Sequence, residues 1–122
     1  MIAYTMLGSN DLPKAGEFYD ALFALLDGKR VRDSEQFIAY ANGRDQLYFC
    51  VCKPYDGNAA TVGNGVMISL VAKNREHVDQ LHAKALELGG ADEGAPGVRA
   101  GGFYAAYFRD LDGNKINFIC MD

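Results

Sequence analysis

The chain has 122 residues, 49% of them hydrophobic, which is the size of one domain with material for a real core. A net charge of -4 and a pI near 5.1 argue against nucleic-acid and anionic-membrane partners, since both need a basic face to displace counterions. No apolar run approaches a membrane span, the opening MIAYTMLGSNDL is too short and polar for a signal peptide, and the cysteines are odd in number, so a cytoplasmic protein with reduced thiols is expected.

Residues 2–8 alternate as a strand. Ser9, Asn10 and Asp11 offer caps, Pro13 suits a first turn, and Ala15, Phe18, Tyr19, Leu22, Leu25 and Leu26 recur at helical spacing until Asp27-Gly28 supplies a stop. Short strands are expected at Val31–Arg32, Phe37–Ala41 and Gln46–Cys52, with Asn42-Gly43 as a hairpin dipeptide. The run from Lys53 to Gly65 has no periodicity and reads as a loop. The order then repeats: a strand at Val66–Ala72, a helix from Arg75 to Leu88 closed by Gly89-Gly90, and strands near Gly97, at Phe103–Arg109 and at Lys115–Met121.

An offset of 63 sets Tyr4 on Met67, Asp11 on Asn74, Phe18 on Leu81 and Leu25 on Leu88. At the far end QLYFC matches KINFI with an offset of 69. Such internal similarity implies two modules, about 1–62 and 63–122, in a single domain. Alternation gives each strand an apolar face, formed by Leu47, Phe49, Val51, Val66, Ile68, Leu70, Ile116, Phe118 and Cys120, to pack on the helices. The other face mixes Tyr4, Met6, Gln46, Tyr48, Cys50, Met67, Ser69, Lys115, Asn117 and Ile119. It is too polar for a core and too apolar for plain surface, as a ligand cavity would be. Cys50 and Cys52 share a strand face, and His77 and His82 are read as surface or helix-face residues.

With its repeat, the turn RDLDGNK and the following INFIC, the chain resembles the vicinal oxygen chelate superfamily of glyoxalase, bleomycin-resistance and extradiol dioxygenase proteins. The resemblance also runs through NDLPKAGEFYDAL, GNGVMISL, DQLHAKALELGG and FYAAYFRDLDGNKINFIC. It implies an α+β fold of two βαβββ modules whose curved mixed sheets enclose a cavity, commonly in a homodimer. Members with a metal hold it by histidines of the first strands and glutamates of the last. Here those positions are read as Tyr4, Met67, Tyr48 and Asn117, a thioether, two phenols and an amide, which are poor ligands for a divalent ion. No metal or other cofactor is therefore expected.

The first functional reading is a metal-independent small-molecule-binding protein of the drug-sequestering kind, for an aromatic or amphipathic compound. Tyr4, Tyr48, Met67 and Tyr107 would supply stacking surface, and Gln46, Asn117, Lys115 and Arg109 polar anchors, beside Cys50 and Ser69. The acidic balance suits a cationic ligand. The alternative is a lyase, isomerase or dioxygenase of the same superfamily. It would act through side chains alone, with Tyr4 or Tyr48 as acid or Cys50 as nucleophile, or through a metal on the loop carboxylates Asp56, Asp92 and Glu93.

Overall fold

The computed structural model describes residues 1–43 and 47–121. Contacts divide the chain into two compact units, 1–62 and 63–122. The first contains β1 (Tyr4–Gly8), α1 (Leu12–Ala24), β2 (Lys29–Asp33), β3 (Phe37–Ala41) and β4 (Tyr48–Cys52). The second contains β5 (Ile68–Val71), α2 (Arg75–Glu87), β6 (Ala91–Val98), β7 (Tyr104–Arg109) and β8 (Lys115–Cys120). Each unit is a four-stranded mixed sheet, ordered β1-β4-β3-β2 and β5-β8-β7-β6. In each, the first strand runs parallel to the last and the remaining pairs are antiparallel, which gives an α+β fold of two βαβββ units.

The offset of 63 holds through both helices and their caps. Asp11 accepts a hydrogen bond from the Lys14 amide at 3.1 Å, and Asn74 accepts one from the His77 amide at 2.8 Å, each satisfying a donor that the first helical turn leaves free. The helix ends differ. α1 stops at Ala24 and continues as a turn to Asp27, which takes the left-handed conformation (φ 58°), and the Gly28 amide then reaches back to the Phe23 carbonyl at 2.7 Å. α2 closes on Gly89 (φ 105°), and a side chain on Gly90 would meet the Ala85 carbonyl oxygen at 2.8 Å.

The helix-facing sides of the sheets form the core. In the first unit Tyr19, Phe23, Tyr40 and Phe49 make a cluster of edge and tilted ring contacts, with centroids 4.9–6.2 Å apart. In the second, Phe108 and Phe118 stack at 5.4 Å above the buried Val78, Leu81 and Ala85 of α2. His77 and His82 lie on α2 and are buried, so of the surface and helix-face readings the helix-face one holds and the surface one is corrected. His77 Nδ1 accepts the Lys73 amide at 3.0 Å, and His82 Nε2 lies 3.1 Å from Asp92 Oδ1 and 3.2 Å from the Tyr107 carbonyl. Both neighbours of that nitrogen are acceptors, so it carries the proton.

β2 spans five residues rather than two, and β6 eight. Both were obscured by bulges, between Arg30 and Arg32, Asp92 and Gly94, and Gly94 and Gly97, which break the two-residue alternation. The β7–β8 turn is organised by the buried Asp110. Its Oδ1 accepts the Asp112 and Asn114 amides at 2.9 Å and its Oδ2 accepts Asn114 Nδ2 at 3.0 Å, while Gly113 takes φ 89°. The loop after β4 is tied down by Asn10, whose side chain accepts from the Ala60 amide at 2.7 Å and donates to its carbonyl at 3.3 Å. No helix of the described residues is long and apolar enough to cross a membrane.

Candidate functional site

Each sheet has one helix in its own unit, so one face of each is left open within that unit. Register fixes which residues stand on it, because directly paired residues share a face. In the first unit the middle row of the open face reads Met6, Cys50, Ala39, Arg32, across β1, β4, β3 and β2. The neighbouring rows begin with Tyr4 beside Tyr48 and with Gly8 beside Cys52 and Phe37. Tyr4, Met6, Tyr48 and Cys50 therefore come together, as the alternation predicts. Gln46 lies outside the described residues.

In the second unit the corresponding row is Ser69, Asn117, Tyr107, Gly94, across β5, β8, β7 and β6. Lys115 pairs with Arg109 one row away, and Ile119 with Ala105 on the other side. Ser69, Tyr107, Arg109, Lys115 and Asn117 thus share one face, and Met67 stands just before β5. The ladders revise one alignment. With Met6 on Ser69, Cys50 corresponds to Asn117 and Tyr48 to Lys115, an offset of 67 for the last strands rather than 69. The positions that the family resemblance assigns to metal ligands are then Tyr4 and Cys50 in the first unit and Met67 and Asn117 in the second.

In neither unit do these positions include an imidazole or a carboxylate. Burial, together with the neighbouring Cys52, pushes the Cys50 thiol above its ordinary value. Phenol, thioether and amide add no anionic oxygen or imidazole. Among the described residues no three His, Cys, Asp or Glu side chains gather as a metal-holding group. Asp92 and Glu93 stand on β6 rather than on a loop, and both are engaged. Asp92 accepts the Gly94 amide at 2.9 Å besides facing His82, and Glu93 lies 3.3 Å from Arg109 Nε. Asp56 Oδ1 accepts the Asn58 amide in a turn of its own loop.

Two further features sit on the second open face. Asn117 is only 2% exposed, and its side-chain carbonyl oxygen has no hydrogen-bond partner among the described residues. Arg99, which the sequence reading passed over, extends along β6 above Gly94 and Gly97, where added side chains would meet its guanidinium at 3.2 and 3.0 Å. Its Nη2 donates to the Ala95 carbonyl at 2.6 Å and its Cζ lies 5.2 Å from the Tyr107 ring centroid. Lys115 Nζ approaches the same ring at 5.6 Å. The only signal for Arg99 in the sequence was the pair of glycines that clears its path.

A profile of the Glyoxalase/Bleomycin resistance protein/Dioxygenase superfamily matches residues 1–118. The chain belongs to this superfamily. Among solved structures, a glyoxalase/bleomycin resistance protein from Albidiferax ferrireducens T118 is similar at 35% identity and TM-score 0.89, covering 98% of this chain and 97% of that one. A hypothetical protein from S. aureus is 33% identical with a TM-score of 0.77, covering 98% and 91%. A lactoylglutathione lyase from Agrobacterium tumefaciens, at 21% identity and TM-score 0.72 over 98% and 92%, shares the superfamily fold. No curated protein matches the chain significantly.

Proposed function

We propose that this glyoxalase/bleomycin resistance superfamily member binds a small aromatic or amphipathic molecule on its open sheet faces and sequesters it without a metal. The observation that supports this reading most is the composition of those faces. Tyr4 and Met6 stand 56% and 49% exposed beside Tyr48 and Cys50, a grouping of large apolar and polarisable side chains that plain solvated surface does not favour. The donor set argues in the same direction, since in neither unit do the positions assigned to metal ligands include an imidazole or a carboxylate. Catalysis by side chains alone is less well supported, because burial pushes the Cys50 thiol above its ordinary value.

The test is a thermal-shift screen of chelator-treated protein against aromatic and amphipathic compounds, repeated with divalent metals. A compound present at a hundred times its Kd would stabilise the fold by about 2.7 kcal/mol, a rise of several degrees, with no metal added. Stabilisation that depends on one divalent ion, or none from any compound, would count against the reading.

A further inference from the structure

We infer that the open face of the second sheet selects an anionic ligand that also carries an O–H or N–H donor, the donor meeting Asn117 and the anionic group meeting Arg99 and Lys115. This rests on the small-molecule-binding reading above and narrows its substrate class, away from the cationic ligand that overall charge suggests.

The buried Asn117 oxygen carries the argument. A buried acceptor without a donor destabilises the fold, and such atoms are rare in folded proteins. The fold itself does not ask for an amide there. Cys50 occupies the same row in the first unit, between β1 and β3, and the ladder forms equally well. The oxygen is closed off from solvent, so a ligand donor would satisfy it by displacing the side chains that cover it, whereas a carboxylate oxygen placed against it would be repelled.

The anionic half follows from the cations around Tyr107. Glu93 neutralises Arg109 at 3.3 Å, but among the described residues no carboxylate pairs with Arg99 or Lys115. The chain has 16 acidic residues against 12 basic ones, so two unpaired cations against one ring do not follow from composition. Gly94 and Gly97 keep β6 bare under the guanidinium, which leaves its remaining N–H groups for a planar anion. Lys115 and Asn117 are two residues apart on one strand face, so the ligand's donor and anion should stand roughly 7 Å apart. 4-Hydroxybenzoate matches that span with its hydroxyl and carboxylate.

The experiment is an NMR titration of the isotope-labelled full chain with 4-hydroxybenzoate, with benzoate, which lacks the donor, and with tyramine, which replaces the anion by a cation. 4-Hydroxybenzoate is expected to shift the Asn117 side-chain amide and the amides of β7 and β8. Benzoate should bind at least fivefold more weakly, and tyramine more weakly still. Asn117→Leu, which removes the unpaired acceptor, should keep or raise the Tm yet weaken 4-hydroxybenzoate about tenfold. Arg99→Ala and Lys115→Ala, both at half-exposed positions, carry the same test if the Leu variant does not fold. Tighter binding of tyramine on this face, or unchanged 4-hydroxybenzoate affinity in Asn117→Leu or Arg99→Ala, would overturn the inference and leave small-molecule binding standing. Shifts from none of the three probes on either open face, with no hit in the thermal screen, would remove both.

Discussion

On the first sheet the central open row is Met6, Cys50, Ala39 and Arg32, and on the second the matching row is Ser69, Asn117, Tyr107 and Gly94. The helix-facing rows beneath them stay alike, with Leu7 beside Val51 in one unit and Leu70 beside Phe118 in the other. The repeat has therefore kept what packs against the helix and let the other face diverge. A core row answers to packing density, which both units must satisfy in the same way. An open row answers to whatever it meets.

If the helix-facing rows are equivalent scaffolds, their energetics should scale with volume alone. Phe118→Ala, at a fully buried ring stacked on Phe108, should cost about 3–5 kcal/mol in urea unfolding. Val51→Ala, in the matching row and equally buried, deletes two methyl groups and should cost about 2 kcal/mol. Equal costs would break the comparison. The caps sharpen it at a smaller scale. Asp11→Ala and Asn74→Ala each remove one side-chain acceptor from a first turn, and each should lose about 1 kcal/mol. A loss in only one of them would show that the helices are not held alike.

What was legible in the sequence follows the same division. Phe18, Leu22, Val78 and Leu81 repeat at helical spacing because burial imposes it, and Asp11 and Asn74 announce their helices because an unpaired amide needs an acceptor. β6 was legible only as a strand near Gly97, and its extent was hidden, since Gly94, Pro96 and Gly97 carry little periodic signal and its two register shifts move side chains between faces. The last-strand correspondence slipped by two residues for a related reason. An error of two preserves the face of every residue, so hydrophobic pattern cannot detect it, and only the ladders pair Cys50 with the position of Asn117. Arg99 was invisible because a side chain that reaches its partners over two glycines leaves no spacing rule behind.

The smallest effects test a device that the units share with different burial. In both, a strand tyrosine donates to a helix aspartate: Tyr40 to Asp20 at 2.8 Å and Tyr104 to Asp79 at 2.7 Å. Arg30 grips Asp20 through two hydrogen bonds at 2.8 and 2.9 Å, whereas Arg75 lies over the Tyr104 ring at 5.1 Å. Burial first, and then Asp20, pushes the Tyr40 hydroxyl above its ordinary range. Tyr40→Phe should thus cost about 1 kcal/mol, and Tyr104→Phe, at the more exposed ring, visibly less. For Asp20, burial raises the carboxyl, but hydrogen bonds from Arg30 and Tyr40 outweigh it and hold the group below 3.8. A folded value below the unfolded one means that the carboxylate adds stability above about pH 4, and that this part is lost as pH falls through the lowered folded value. The Asp20–Arg30 side chains are 47% and 34% exposed, so screening should keep the contribution under about 1 kcal/mol. Asp20→Asn is expected to lower stability by that amount at pH 7 and to flatten the decline below pH 4. An unchanged acid limb in urea unfolding measured from pH 2 to 7 would show that the pair is an exposed contact without energetic weight, and that the two tyrosine–aspartate bonds differ in burial alone.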